Sequence, residues 1–140
     1  TLRNSSAASD VYKRQEFPIY NGGPVQQDNL YFIHNKSKLI SGSLAIKNEI
    51  HWGGDFKKTI DLINEKKIKS DEIKFFLGYS GWDKNQLENE IQSNSWIVVN
   101  HNKDDKILLE HCENIWKDNL TKLGGNYMIW SNSPENPNHN

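Results

Sequence analysis

The run Ile73-Lys74-Phe75-Phe76-Leu77 passes straight into Gly78-Tyr79-Ser80-Gly81-Trp82, and this passage constrains the fold more than any other. Successive side chains of a strand point to opposite faces, so three large apolar residues in a row do not suit a strand with one wet face. Ile73–Leu77 is therefore read as a central strand covered on both sides. Gly78 and Gly81 allow positive φ or close backbone approach behind it. Asp83 is read as the N-cap of a helix from Lys84 to Gln92, with Leu87 and Ile91 facing the core.

A central strand needs neighbours, and the rest of the chain supplies them. Phe17–Tyr20 reads as a strand end, Leu30–His34 as a strand, and Ser43–Lys47 with Glu49–Trp52 as a hairpin about Asn48. Trp96–Val99 reads as a further strand, Ile107–Leu109 as a short strand or turn, and Tyr127–Trp130 as a final extended piece. Asp55 caps a predicted helix from Phe56 to about Lys66, whose Phe56, Ile60 and Ile63 form an apolar stripe with Leu62 beside it. A last helix spans Glu113–Leu123, with Ile115, Trp116, Leu120 and Leu123 inward and Gly124-Gly125 closing it. Strands and helices mixed in this way predict an α+β fold.

The chain has 140 residues, which suits a single domain. It is divided as a non-native or disordered leader (1–15), a single partial domain (16–130) and a flexible tail (131–140). The leader reads SSAASDVYKRQ from Ser5 to Gln15, small and polar, then basic, with no apolar stretch of signal-peptide type. No apolar run approaches the roughly 18–20 residues of a membrane span, and a cytoplasmic location is expected. A single cysteine, Cys112, excludes an internal disulfide framework and a multi-cysteine zinc site. The net charge of −1 argues against direct nucleic-acid binding. A DNA-associated role would have to rest on Lys57, Lys58, Lys66, Lys67 and Lys69.

The search for chemistry yields a short set of candidates. There is no Gly-Lys-Ser/Thr phosphate loop. Gly78-x-x-Gly81 lies between a predicted strand and helix, which suits either an anion at the helix N-terminus or local crowding. Gly22-Gly23-Pro24 is either a backbone ligand loop or a plain turn. Gln86 and Glu90, at i and i+4, share a helix face and can bind a polar ligand or a neighbouring loop. Glu88 and Glu90, at i and i+2, diverge and cannot form an acid/base pair. The five histidines show no metal-ligand spacing. His51 and Asp55 flank Gly53-Gly54 and are the only suggestion of a base. The five tryptophans read as core packing rather than as base-stacking platforms, because no basic groove accompanies them. No nucleophile–base–acid set, metal site or cofactor motif is found, and no catalytic residue is assigned.

Three segments in this order resemble the bacterial YqgE/AlgH family. They are Gly22-Gly23-Pro24-Val25 followed by a strand ending in His34; Gly78-Tyr79-Ser80-Gly81-Trp82 followed by Gln86-Leu87-Glu88-x-Glu90; and Trp96 soon after, with Trp116 also in keeping. The likeness covers about residues 17–134. It implies an α+β fold whose bifurcated mixed sheet curls into a pseudo-barrel with flanking helices, with an N-terminal part of the family missing here and sheet edges exposed as a result. The family carries a transcriptional-regulator label without an established activity.

The expected function is thus a non-enzymatic regulatory or binding protein with a protein or small-molecule partner. Its candidate contacts are Gly22, Gly23, Pro24, Gly78, Tyr79, Gly81, Trp82, Gln86 and Glu90. The alternative is an enzyme or binder acting on a nucleotide-like or phosphorylated small molecule at Gly78–Gly81.

Overall fold

The computed structural model describes residues 17–99, 106–109 and 112–132. The predicted leader, the histidines His101, His111 and His139, and most of the predicted tail lie outside these residues. The chain divides into two compact units, one ending at Leu109 and the other beginning at Glu110.

The first unit is built on a five-stranded mixed sheet of order β1-β5-β2-β4-β3. Its strands are β1 (Ile19–Asn21), β2 (Val25–His34), β3 (Leu44–Lys47), β4 (Ile50–Trp52) and β5 (Ile73–Tyr79). β5 lies inside the sheet, parallel to β1 and antiparallel to β2. The fold is α+β, as expected, but the sheet is open. It does not close into the expected barrel: β1 and β3 form its two edges among the described residues. The β3 edge is exposed along its whole length, with Leu44 and Ile46 in solvent.

Alternation along β2 and β5 divides the core. Phe32, Ile73 and Phe75 meet Phe17, Ile40, Leu62, Ile63 and Ile68 on one face. Ile33 meets Ile50 and Leu108 on the other, with Phe76 packed against them. Each such side chain contributes about 1.5–3 kcal/mol when fully buried, so the eight-member cluster dominates the stability of this unit. Lys74 is also buried. Its Nζ donates to the Ile107 carbonyl at 2.6 Å and lies 5.3 Å from the centre of the Tyr20 ring.

Helix α1 (Phe56–Asn64) begins as predicted. The Asp55 carboxylate accepts the Lys58 N–H at 2.9 Å. Its inward face differs from the predicted stripe: Thr59, Leu62 and Ile63 are buried while Phe56 is exposed. Thr59 tolerates burial because its hydroxyl donates to the Asp55 carbonyl at 2.8 Å. An apolar periodicity count passes over such a residue.

Four further elements correct the sequence reading. The helix after β5 is α2 (Gln86–Gln92), entered through Asn85 at φ 66° rather than through a cap by the Asp83 side chain. Trp96–Val99 is irregular and exposed, apart from the half-buried Val99, and joins no strand of the described sheet. Ile107–Leu109 falls in a short helix, α3 (Lys106–Leu109). The second unit comprises α4 (Cys112–Leu123) and α5 (Tyr127–Ser131), so Tyr127–Trp130 is helical rather than extended. In α4 only Leu120 of the four predicted inward residues is buried; Ile115 is half-buried, and Trp116 and Leu123 are exposed.

Candidate functional site

The candidates fall into two places. The first is a crossing of backbone over backbone. β1 and β2 flank β5 on opposite sides, joined only by residues 22–24. Strands lie about 4.8 Å apart, so this loop steps over a whole strand, and it does so at Gly78. The Gly22 N–H donates to the Leu77 carbonyl at 2.8 Å, and Val25 then pairs with Tyr79. A Cβ on Gly78 would lie 2.5 Å from the Gly23 carbonyl oxygen and 2.8 Å from that of Val25. A Cβ on Gly22 would lie 2.2 Å from the Gly78 oxygen, and one on Gly23 2.4 Å from the Tyr79 backbone. The space where a side chain or ligand group could sit is occupied by main chain. Past the crossing, five steps along β2 from Val25 to Leu30 match two along β5, a bulge held by the Gln26 carboxamide oxygen, which accepts from Asn29 and Tyr31.

Pro24 lies exposed at the outer side of this crossing. Tyr79 packs edge-on against Tyr31 at 5.5 Å, and Tyr31 in turn lies 5.6 Å from Trp52, so Tyr79 belongs to an aromatic row across the sheet. A Cβ on Gly81 would touch only the Tyr79 ring, at 3.4 Å. The glycine pair does not open a helix: α2 starts at Gln86.

The second place is a clasp around Glu90. Trp82 Nε1 donates to Glu90 Oε2 at 3.1 Å, and Trp96 Nε1 donates to the same oxygen. Gln86 Nε2 donates to Oε1 at 2.9 Å, while Gln86 Oε1 accepts the Asp83 N–H. The two indoles meet edge to face, centroids 5.5 Å apart and planes at 76°. The indole of Trp96, then that of Trp82, then the Gln86 amide hold the Glu90 carboxyl below its usual range, so it is ionised at neutral pH. Trp82 is 37% exposed and Trp96 48%. The expectation that the tryptophans fill the core is overturned: Trp52, Trp82, Trp96, Trp116 and Trp130 are all exposed. The structure thus brings Trp82, Gln86 and Glu90 together, adds Trp96, and leaves Tyr79 and the glycines elsewhere. The sequence signal for Trp96 was its place six residues beyond Glu90, within reach of the helix end.

His51 lies away from the crossing, and Asp55 is engaged elsewhere. His51 pairs with His34, and His34 with Ile73, at the opposite end of β5 from Gly78. Five residues of strand separate those rows, about 17 Å. Asp55 is engaged in capping α1. His34 is fully buried and neutral: its Nδ1 accepts the Lys36 N–H at 3.0 Å, so Nε2 carries the proton and donates to the Gly53 carbonyl at 2.9 Å. Burial lowers its pKa, the Gly53 carbonyl opposes this, and the nearby His51 lowers it further. Among the described residues no group of three or more His, Cys, Asp or Glu could hold a metal ion, and no helix is long and apolar enough to cross a membrane. Within the predicted lysine footprint, Lys67 is paired with Glu65 at 2.6 Å.

Residues 2–128 match the family described as AlgH-like. The chain belongs to the AlgH-like family. A UPF0301 protein of Cytophaga hutchinsonii is 39% identical over 120 residues, covering 85% of this chain and 65% of that protein. A UPF0301 protein of Chlorobium limicola is 41% identical over 122 residues, covering 87% and 65%. The chain therefore spans about two thirds of the length of these AlgH-like relatives. The solution structure of the AlgH protein from Pseudomonas aeruginosa is similar to it with a TM-score of 0.62 at 25% identity, over 86% of this chain and 62% of that one.

Proposed function

We propose that this AlgH-like chain is a non-enzymatic binding protein with a regulatory role, working through the Trp82–Glu90–Trp96 face. One observation carries the reading: an ionised carboxylate held behind two half-exposed indoles, with its three hydrogen-bond donors among the described residues all neutral. Large aromatic surfaces beside an uncancelled charge are typical of recognition sites. The alternative, an enzyme at Gly78–Gly81, is weakened because main chain fills the space beside Gly78 and the only suggested bases lie at the other end of the strand.

The test is a thermal-shift titration of the full chain and of Trp96→Ala. It uses a small-ligand panel, a nucleotide panel, and duplex DNA at low and near-physiological salt. A ligand at about 100 times its dissociation constant adds about 2.7 kcal/mol of stability. The expected result is a ligand shift in the native chain that Trp96→Ala loses. A salt-sensitive shift with DNA would restore the nucleic-acid reading. Turnover of any nucleotide would replace the binding reading with the enzymatic one.

A further inference from the structure

We infer that the corner between Trp82 and Trp96 binds a quaternary ammonium group. The inference rests on the proposed function and names the ligand class of that site. The two indoles stand at 76°, edge to face, so one ring plane rises from the other and the pair makes an aromatic corner. Indole faces are negative, and tryptophan is the aromatic side chain that attracts cations most strongly. Both indole N–H groups donate to Glu90. Donation to an anion drives electron density back into the ring, so these faces are more negative than those of a free indole. Its donors among the described residues, Trp82, Trp96 and Gln86, are neutral, so none of them cancels the unit charge of the carboxylate.

The hydrogen-bond count selects the cation. A carboxylate has about four acceptor positions, and three donors among the described residues already occupy Glu90. A primary ammonium is strongly hydrated and brings three N–H donors, so contact with indole faces displaces water from them without supplying acceptors. A trimethylammonium group has no N–H to satisfy and sheds its water cheaply. Its methyl groups pack on the indole faces while its charge meets the field of the carboxylate.

The decisive experiment compares choline with its neutral isostere 3,3-dimethylbutan-1-ol on the full chain. The readout is the indole N–H resonances in ¹H–¹⁵N spectra, assigned by Trp82→Phe and Trp96→Phe. Choline is expected to saturate the Trp82 and Trp96 signals with a dissociation constant of roughly millimolar order. The isostere should bind at least about fivefold more weakly, because it lacks the charge. Glu90→Gln keeps an acceptor oxygen and removes the charge, and should weaken choline while leaving the isostere unchanged. If that variant loosens the clasp, the choline–isostere ratio on the native chain still decides. Equal binding of the two compounds overturns the inference, as does the absence of saturation at Trp82 and Trp96. A positive result with choline that a trimethyllysine peptide surpasses places the group on a modified chain; the reverse order assigns it to a free small molecule. Failure of choline while another panel ligand shifts the native chain, and not Trp96→Ala, would sink this inference and leave the proposed function standing.

Discussion

The crossing at Gly78 and the clasp at Glu90 are twelve residues apart in sequence and use opposite means. At the crossing, Gly22, Gly23 and Gly78 carry no side chain because main chain fills every place where one would stand. At the clasp, two indoles from outside α2 and Gln86 from one turn back along the same helix meet on one carboxylate. The crossing is closed, uncharged and needed for the topology. The clasp is half-open and ionised, and its residues take no part in the strand pairing. A glycine-rich motif before a helix invites a ligand reading, yet here the glycines serve the strands and the proposed recognition surface is aromatic.

The largest expected effect breaks the crossing. Gly78→Ala places a methyl group within 2.5 Å of a carbonyl oxygen, at φ +69°. Gly42, at φ +72° with open space around it, is the matched control. Gly42→Ala should cost about 1–2 kcal/mol from the backbone conformation alone. Gly78→Ala should add overpacking, for roughly 3 kcal/mol or more in total. Urea unfolding midpoints measure both. Equal losses would mean that close approach contributes nothing and that the crossing is looser than described.

The next effect separates the two regions from the buried histidine by pH. His34 has a lowered pKa in the folded chain, so the unfolded chain takes up its proton first as pH falls. Its contribution is fully present above the ordinary histidine value near 6.5 and is lost as pH drops towards the folded value. Unfolding midpoints should therefore fall between pH 7.5 and 5.5. A profile that is flat there, or one that His34→Gln leaves unaltered, would contradict the neutral double hydrogen bond.

The smallest effect on stability is at the clasp. The Glu90 carboxyl is lowered, so its bonds persist above the ordinary carboxylate range and open as pH falls through the depressed value. Below about pH 4 the Trp82 and Trp96 indole signals should move together while the strand signals around Gly78 stay in place. Simultaneous movement of both sets would show that the two regions are one cooperative unit.

These contrasts also mark what the sequence could convey. The apolar run Phe75-Phe76-Leu77 identified the inner strand, and Asp55 and Asn48 located a helix start and a hairpin, because each acts through its own neighbours. Trp96–Val99 has the composition of a strand, but the Trp96 indole is held by Glu90 and the segment stays outside the sheet. Tyr127–Trp130 likewise reads as extended. Local bonds from Tyr127, Met128 and Ile129 back to Gly124, Gly125 and Asn126 turn it into a helix instead. The pairing of Gln86 and Glu90 was legible from their i, i+4 spacing. Trp82 was also among the candidate contacts, but Trp96 was not, since a tryptophan read in sequence looks like core and its exposure is decided by tertiary packing.

The crossing also bears on how the chain folds. β1 and β2 are consecutive in sequence but are not neighbours in the sheet; β5 lies between them. The hairpin of β3 and β4 and helix α1 are all synthesised before that strand exists. Until it arrives, the two early strands border an empty slot spanned by a three-residue strap, with their inner backbone groups unpaired. The native strand order thus requires β5 to pair with both before the sheet is complete. Such non-local pairing is slow, and it makes the newly made chain most vulnerable to strand capture by another molecule just before Ile73–Tyr79 emerges.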